Sequence, residues 1–497
     1  MTEDRARIPD LIECMPEAER AVTLRLAAAF HDAGHELYLV GGIVRDLLLG
    51  RGRADLDFAT SAVPEETKAA GAAAQPESVY TFGEEYGTVG FVFPQVDTSQ
   101  PPITVEITTY RSEVYPTQDR RPVVTHGVSL IDDLSRRDFT INALALDPLV
   151  GELFDPFNAV ADLAHRQIVA AGDAEARFSE DPLRVLRAAR FAAQLGFEID
   201  LATLAAMRTT GPQLARISRE RIAAELNKLL VGEYPTLGLH ALHAADLVQH
   251  VLPEAHSMAE DDLDSHGARH KDIWEHTVQV VLQTPARLAV RWAALMHDAA
   301  KPMTRSVDEH GEVHFFGHEV VGADLARRAM RRLKQEKALE ERVRRLVFMH
   351  LRGAGYDPSW TDSAVRRLAL EAGDAFDDLL DLAAADVTSA RASKQAAAQA
   401  RVAGLRAHWE RLEALAALDS LQSPLDGDEL MAMFAQPPGI WIKVVKDRLR
   451  ELVIDDELSV GDKAAAEALV HVWMAEPDEE LARALEQSTR RIAKRGS

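Results

Sequence analysis

The run His35 to Thr60, HELYLVGGIVRDLLLGRGRADLDFAT, restricts the fold more than any other stretch of the chain. Glu36 to Val40 is apolar enough for a short strand, Gly41-Gly42 interrupts it, Ile43 to Leu49 gives one or two helical turns, and Gly50 can end them. A second strand follows from Ala54 to Thr60. Alternate strand side chains share a face, so Asp55 and Asp57 lie together and Leu56 turns to the core. Two such carboxylates repel unless a cation sits between them. Hard oxygen ligands on a rigid strand suit Mg²⁺, which keeps several waters and takes further ligands from phosphates. Gly41 and Gly42 would let backbone N–H groups approach a triphosphate, and Arg45 adds charge one turn on. Taken singly, an Asp-x-Asp pair is more often a solvated strand end and Gly-Gly a plain turn. Their order and tight spacing point instead to nucleotidyl transfer.

At 497 residues the chain is too long for one ordinary core, which implies a soluble protein of several domains. Only 6% of residues are aromatic and long Ala/Leu/Arg/Glu runs recur, so most of the chain should be helical. The one cysteine, Cys14, excludes an internal disulfide framework and a Cys-based zinc cluster, which fits a cytoplasmic site. The acidic start and the lack of a long apolar run argue against export or membrane insertion. A formal charge of -23 counts against non-specific coating of nucleic acid, although Arg-rich helices could build a local basic groove.

In chain order, residues up to about Ala33 read as an amphipathic helix burying Val22, Leu24, Leu26 and Phe30. Pro64-Glu65-Glu66 starts a helix, and Tyr86 to Phe93 and Ile103 to Tyr110 read as strands. In the latter, Glu106 is either a third acid beside the Asp pair or part of an exposed strand face. Arg111 to Val128 lacks periodicity and reads as a mobile loop. Ser135 and Asp138 resemble a capping box opening a helix, with Arg136 and Arg137 in its first turn. In FSEDPLRVLRAARF, Asp181 before Pro182 reads as a helix N-cap, and Arg184, Arg187 and Arg190 form a stripe that, standing alone, is more often a solvated face.

The ordered motifs LVGGIVRDLLLG, ADLDFAT, VEITTYR, DLSRRDFTINALAL and EDPLRVLRAARF resemble those of the class II tRNA nucleotidyltransferases, the CCA-adding enzymes, which share a catalytic head with bacterial poly(A) polymerases. Ser218 to Leu230 resembles the neck of that family and Pro424 to Val453 its helical body. The resemblance implies that Asp55 and Asp57 hold metal ions. It also implies that Gly42 and Arg45 meet the triphosphate, beside Gly41 of the same turn, and that Arg137, Asp181, Arg184, Arg187 and Arg190 complete a nucleotide pocket. Asp181 and Arg184, three apart, can face one planar base. Their acceptor and donors match the amino group and neighbouring acceptor of cytosine or adenine, whereas uracil O4 and guanine O6 would meet a carboxylate. The substrates implied are CTP, ATP and the tRNA 3′ end, without a membrane.

Further on, His276, His297-Asp298 and Asp386 occur in the order His, His-Asp, Asp, with Lys301 nearby, which resembles the HD-domain metal-dependent phosphohydrolases. His318 and His350 are candidates to complete a two-metal site. A lone histidine on an apolar helix is usually a satisfied core residue, but a His-Asp pair entering a core needs a partner. Without clustered cysteines, Mg²⁺, Mn²⁺, Ni²⁺ or Fe are more apt than zinc. The basic run Arg327, Arg328, Arg331, Arg332 and Lys334 could track phosphates or pair with Glu340 and Glu341. Ala396 to Leu418 reads as helix and the last ten residues as a basic tail.

The expected fold is α+β: a helical lead-in (1–34), a small mixed-sheet nucleotidyltransferase head (35–160), then an all-helical neck (161–250), HD domain (251–395) and body (396–497). The leading expectation is CCA addition by two-metal nucleotidyl transfer. The rivals are a poly(A) polymerase, an enzyme adding only CC or only A, an HD phosphohydrolase with a secondary head, and a scaffold with degenerate sites. After the DLD strand, TFGEEYGTVGFVF stands where the polymerase branch carries an apolar-apolar-Gly run with two basic residues and Phe.

Overall fold

A computed structural model describes residues 5–7, 11–52, 55–81, 87–95, 100–114, 123–126, 128–260, 273–387, 392–415 and 423–493. The chain divides into two compact units. The first comprises Met1–Leu282, Ala286–Leu295 and Arg327–Glu340, and the second Gln283–Pro285, Met296–Ala326 and Glu341–Ser497. Among the described residues, no helix is long and apolar enough to cross a membrane.

The first unit opens with strand β1 (Arg5–Arg7) and helix α1 (Glu17–Asp32), followed by β2 (Leu37–Val40), α2 (Gly42–Leu48), β3 (Leu56–Thr60), α3 (Pro64–Ala73) and β4 (Ser78–Tyr80). Next come β5 (Thr88–Phe93), β6 (Ile103–Thr109), β7 (Arg111–Val114), β8 (Val123–His126), α4 (Leu130–Ser135), β9 (Ala145–Leu146) and β10 (Glu152–Phe154). Eight strands form one sheet in the order β1-β10-β9-β2-β3-β6-β5-β4. The β3–β6 pair is parallel and its neighbours are antiparallel, so the sheet is mixed as expected.

Period-two alternation gives this sheet two unlike faces. Leu56, Val105 and Phe91 are in register across three strands and at most 3% exposed, as is Phe58 beside Ile107. Helix α3 covers this apolar face closely: a Cβ on Gly71 would lie 2.2 Å from the Phe91 ring. Burying each such side chain contributes about 1.5–3 kcal/mol. The opposite face carries Asp57 and Glu106, also in direct register.

Beyond the sheet, α5 (Ala159–His165), α6 (Ala174–Glu180), α7 (Leu183–Leu195), α8 (Leu201–Thr210), α9 (Arg219–Leu230) and α10 (Pro235–Ala244) continue the first unit. Helix α7 is buried along most of its length and packs against α9 and α10. The second unit is almost wholly helical, with helices that include Asp362–Ala372, Phe376–Ala385 and Ala392–Leu415. A separate core forms there around Trp441, with Leu430, Val445, Leu449 and Leu481.

Several local expectations are corrected. Leu24 is 38% exposed while Val22, Leu26 and Phe30 are buried, because a 16-residue helix offers the core only one narrow stripe. The described ends of the 111–128 segment are not loop but the paired strands β7 and β8. The capping box is Ser129 with Asp132, one motif earlier than Ser135 with Asp138, so Arg136 and Arg137 follow α4 rather than open it. The C-terminal stretch is helical through Ala493. Tyr86, the middle of the 111–128 segment and part of the acidic stretch after Glu254 lie outside the described residues.

Candidate functional site

The site on the open face of the sheet begins where β2 ends. Gly41 has φ +76°, a conformation costly for other residues, and a Cβ there would lie 2.8 Å from Nη1 of Arg137. Arg45, one turn into α2, is 8% exposed and donates from Nη1 to Asn142 Oδ1 at 2.7 Å. Its other nitrogens bond Asp46, and its guanidinium stands 5.3 Å from the Phe191 ring centre.

Asp55 is exposed just ahead of β3, Asp57 is half-buried on it, and buried Leu56 separates them. Burial, then the charges of Glu106 and Asp55, push the Asp57 carboxyl up to about 6, against the pull of Arg137. An Asp57 carboxylate whose ionisation two neighbouring acids oppose forms with them a donor set that fits a hard divalent cation.

The arginine stripe on α7 is not a solvated face. Arg184 and Arg190 are at most 9% exposed, and Arg187 lays Nε and Nη2 at 2.7 and 2.6 Å from Asp138 Oδ2. Burial alone would raise the Asp138 carboxyl, but Arg187 and Asn142 hold it down to about 2. Arg190 pairs with buried Glu225 of α9 at 2.7 Å. Arg184 is fixed from three sides, by Arg136 O at 2.7 Å, Arg177 O at 3.1 Å and Glu180 at 3.0 Å. Asp181 accepts from the Leu183 N–H at 3.1 Å, close to the capping role expected of it, and pairs with Arg221 at 2.9 Å. Asp133, 1% exposed in its side chain, holds Arg136 at 2.7 Å and Arg137 at 3.2 Å.

A single cavity of about 540 Å³ gathers Gly41, Gly42, Arg45, Asp55, Asp57, Arg137, Asp181, Arg184, Arg187 and Arg190. Of the residues anticipated for the head, Glu106 alone is not in its lining. Eight arginines and four aspartates line it, so the site is locally cationic within an acidic chain. Sequence reasoning gave no site role to Asp133, Asn142, Arg221 or Glu225, and placed Asp138 only in a cap. Their signal is a charge or amide at a position that proves buried or pocket-lining, which a sequence does not display.

The second unit holds another cluster. His297 and Asp298 follow the helix Leu288–Met296 and are at most 1% exposed. Burial would lower the His297 imidazole, but Asp298 and Asp386, at 3.3 and 3.4 Å, push it up to about 10. Lys301 pairs with Asp298 at 2.6 Å. His318 and His350 each donate from Nδ1 to a backbone carbonyl, Phe315 O at 2.7 Å and Val347 O at 2.6 Å. Their Nε2 atoms point the other way and face each other at 3.2 Å. Burial and His297 push His350 down to about 4, keeping its ring neutral. A cation held between the two Nε2 atoms would take a lone pair from each. Asp298 offers an oxygen within 4.8 Å of these nitrogens, and the three form a candidate metal group. His276, the remaining histidine anticipated for this site, belongs to the first unit, buried on the helix Ile273–Gln283.

The basic run is largely neutralised within the first unit: Arg331 pairs with Glu340, Arg332 with Glu254 and Lys334 with Glu220. Arg331–Glu340 is one of the ion pairs expected of that run, whereas Arg332 and Lys334 pair with Glu254 and Glu220 instead of Glu341.

Residues 37–169 match the family model of the poly A polymerase head domain, residues 196–258 that of a probable RNA and SrmB-binding site of polymerase A, and residues 267–391 that of the HD domain. A CCA-adding enzyme of Geobacillus sp. (strain WCH70) is 32% identical over 442 residues, covering 88% of this chain and 93% of the relative. The chain belongs to the CCA-adding enzyme family. A second CCA-adding enzyme, of Leuconostoc citreum (strain KM20), is 46% identical over 220 residues, 44% of this chain, and there the chain spans about half of the relative's length, 51%. Among solved structures, the Bacillus stearothermophilus CCA-adding enzyme in complex with CTP matches with a TM-score of 0.66 and 25% identity, covering 93% of this chain and all of that one. Nucleotidyltransferase head and HD domain are thus both present, as the motifs implied.

Proposed function

We propose that the chain builds and repairs the 3′-terminal CCA of tRNA from CTP and ATP without a nucleic-acid template. The observation that carries this reading is the single cavity in which the Asp55–Asp57 pair, the Gly41-Gly42 turn and the Asp181–Arg184 edge converge. The known CTP complex of a relative supports it, as do relatives named CCA-adding rather than poly(A) polymerase.

In this reading Asp55 and Asp57, with Glu106 beside them, hold Mg²⁺. Bound there, the metal would lower the charge barrier between the tRNA 3′-hydroxyl, the α-phosphate it attacks and the departing pyrophosphate. Arg45 and Arg137 face the triphosphate with the glycine turn, which lets backbone approach closely. Arg184, pinned from three sides, presents its remaining donors at a fixed angle, and Asp181 presents its carboxylate. That edge accepts cytosine or adenine and rejects uracil or guanine. Arg187 and Arg190, locked by Asp138 and Glu225, keep α7 rigid beneath it. A tRNA substrate sets the site of action in the cytoplasm.

The division into lead-in (1–34), head (35–160), neck (161–250), HD part (251–395) and body (396–497) is part of this proposal. A second activity is supported by the opposed Nε2 atoms of His318 and His350 beside Asp298. With His297 and Asp386 of the same unit, they would bind Mg²⁺, Mn²⁺, Ni²⁺ or Fe for hydrolysis of phosphoesters.

The test incubates the purified protein with tRNA transcripts ending before, within and after CCA, and each labelled NTP alone and mixed. Addition of C, C and A followed by arrest is the expected result. An unlimited A tail would make it a poly(A) polymerase, A on CC ends only would make it a partial enzyme, and no addition would remove the proposal.

A further inference from the structure

The line of side chains on the open face of the sheet continues past Glu106. Gly90 of β5 is in register with Glu106, and Tyr80 of β4 with Gly90, so Asp57, Glu106, Gly90 and Tyr80 form one row across four strands. A Cβ on Gly90 would lie 2.1 to 2.5 Å from three carbons of the Tyr80 ring. The ring therefore lies across the Gly90 backbone, inward along the row, and does not hang off the sheet edge. A mid-strand glycine weakens a strand and marks a place where something must approach closely; here the approaching group is this ring. Tyr80 is half-buried, and burial together with the charges of Glu106 and Asp57 pushes its phenol up, as expected of a group within electrostatic reach of the acids.

The position of this ring relative to the cavity gives it a task. The cavity is bounded by the β2–α2 turn, Asp55, Asp57 and the arginines of α7, and its lining includes neither Glu106 nor Tyr80. In an in-line displacement the attacking oxygen approaches opposite the leaving group. With the triphosphate against Gly41 and Arg45, the attacking 3′-hydroxyl must reach the acids from the β6–β5–β4 side. Neighbouring strands are about 4.8 Å apart, so a ring lying over Gly90 is about 10 Å from the Asp57 column, near the length of one nucleoside.

We propose that Tyr80 is a stacking platform for the 3′-terminal base of the RNA acceptor, an inference that rests on the nucleotidyl-transfer reading above. The chemistry suits a growing end. After each addition the terminal base is a different one, and an aromatic face accepts any base, because every base presents a π-face. Selection of the incoming base stays with Asp181 and Arg184, and Tyr80 positions the acceptor without reading it.

The experiment uses the full chain with a tRNA acceptor minihelix whose 3′-terminal nucleotide is 2-aminopurine, and the variants Tyr80→Phe, Tyr80→Leu and Tyr80→Ala. Leucine still covers Gly90 but offers no π-face, which separates stacking from sheet packing. The wild type and Tyr80→Phe should quench the probe on binding. Tyr80→Leu and Tyr80→Ala should lose the quench and raise KM for the acceptor about tenfold or more, with KM for CTP within about twofold. The inference is overturned if Tyr80→Leu matches the wild type, or if KM for CTP rises as much as KM for the acceptor. Addition that is normal but independent of Tyr80 sinks the platform alone. Tyr80-dependent quenching with no nucleotide addition sinks the nucleotidyl-transfer reading and leaves the platform standing.

Discussion

Arg187 closes on Asp138 with two nitrogens against one buried oxygen, Nε at 2.7 Å and Nη2 at 2.6 Å from Oδ2. The pair ties α7, which carries Arg184 of the proposed base-reading edge, to the segment after α4. Removing Arg187 leaves the Asp138 carboxylate, 7% exposed, without its cation; because the Arg187 side chain is itself 35% exposed and the pair is partly screened by water, the cost is about 1–3 kcal/mol. Arg187→Ala should destabilise the first unit on that order, and Arg187→Ala with Asp138→Asn should recover part of the loss. The pH dependence follows from the depressed carboxyl. An Asp held at about 2 in the folded chain, against 3.8 ordinarily, contributes stability that is complete above about pH 4 and is lost as pH falls toward 2. Urea unfolding midpoints between pH 5 and 2 should fall steeply in the wild type and less in Asp138→Asn. Parallel slopes in the two proteins would refute this.

Asp57 makes the opposite statement. Its folded carboxyl is raised to about 6, so in the metal-free protein the stability it contributes is present below about pH 4 and is lost as pH rises through 6. A bound divalent cation reverses the preference, because it competes with the proton. Affinity for Mn²⁺ at the head should therefore fall about tenfold per pH unit below 6 and level off above it. Glu106→Gln, which removes the charge next in register to Asp57, should move that break to lower pH. Titration of Mn²⁺ followed by electron paramagnetic resonance, with His297→Ala as background to silence the other cluster, reads it directly; a break unmoved by Glu106→Gln would be the contrary result.

How much of this was legible in the sequence depends on the range of the interaction concerned. Strand, glycine turn, short helix and strand around Asp55 and Asp57 are local, and period-two alternation alone puts buried Leu56 between two outward acids. The cap of α4 is local too, yet Ser-x-x-Asp occurs at both Ser129 and Ser135, and only the folded chain chooses between them. Arg187 reads as a solvent-facing arginine because its partner, Asp138, lies 49 residues away. Glu225 is hidden in the same manner behind Arg190. The 111–128 segment looks aperiodic because its two strands are four residues each, too short for alternation to register. Tyr80 and Gly90 have no meaning apart from strand register.

Base choice gives a separate prediction. Arg184 is clamped by two carbonyls and Glu180, and Asp181 is steadied by Arg221 and the Leu183 N–H, so neither can turn to suit a different Watson–Crick edge. A correct bidentate pairing is worth about 1–3 kcal/mol of discrimination. Asp181→Ala should thus reduce the preference for CTP over UTP by about tenfold to a hundredfold, chiefly by slowing CTP. Single-turnover incorporation with each NTP on the same acceptor measures it. A preserved CTP:UTP ratio would place the base elsewhere.

The two clusters predict a double dissociation. Asp55 is exposed and makes little contribution to the core, so Asp55→Ala should abolish nucleotide addition while leaving the thermal unfolding midpoint within a few degrees of the wild type. Any metal-dependent hydrolysis of phosphoesters by the His318–His350 cluster should persist. His350→Ala should do the reverse, removing one of two Nε2 ligands and its hydrolysis while nucleotide addition continues. Because His350 is 1% exposed, the substitution leaves a cavity, and His350→Gln, which keeps most of the volume, controls for misfolding. Bis(p-nitrophenyl) phosphate turnover with Mn²⁺ or Ni²⁺, assayed beside labelled CTP incorporation on the same preparations, separates the outcomes. If one substitution removed both activities from a protein whose circular dichroism and unfolding midpoint were unchanged, the clusters would not be independent, and metal bound at one would have to be shaping the other.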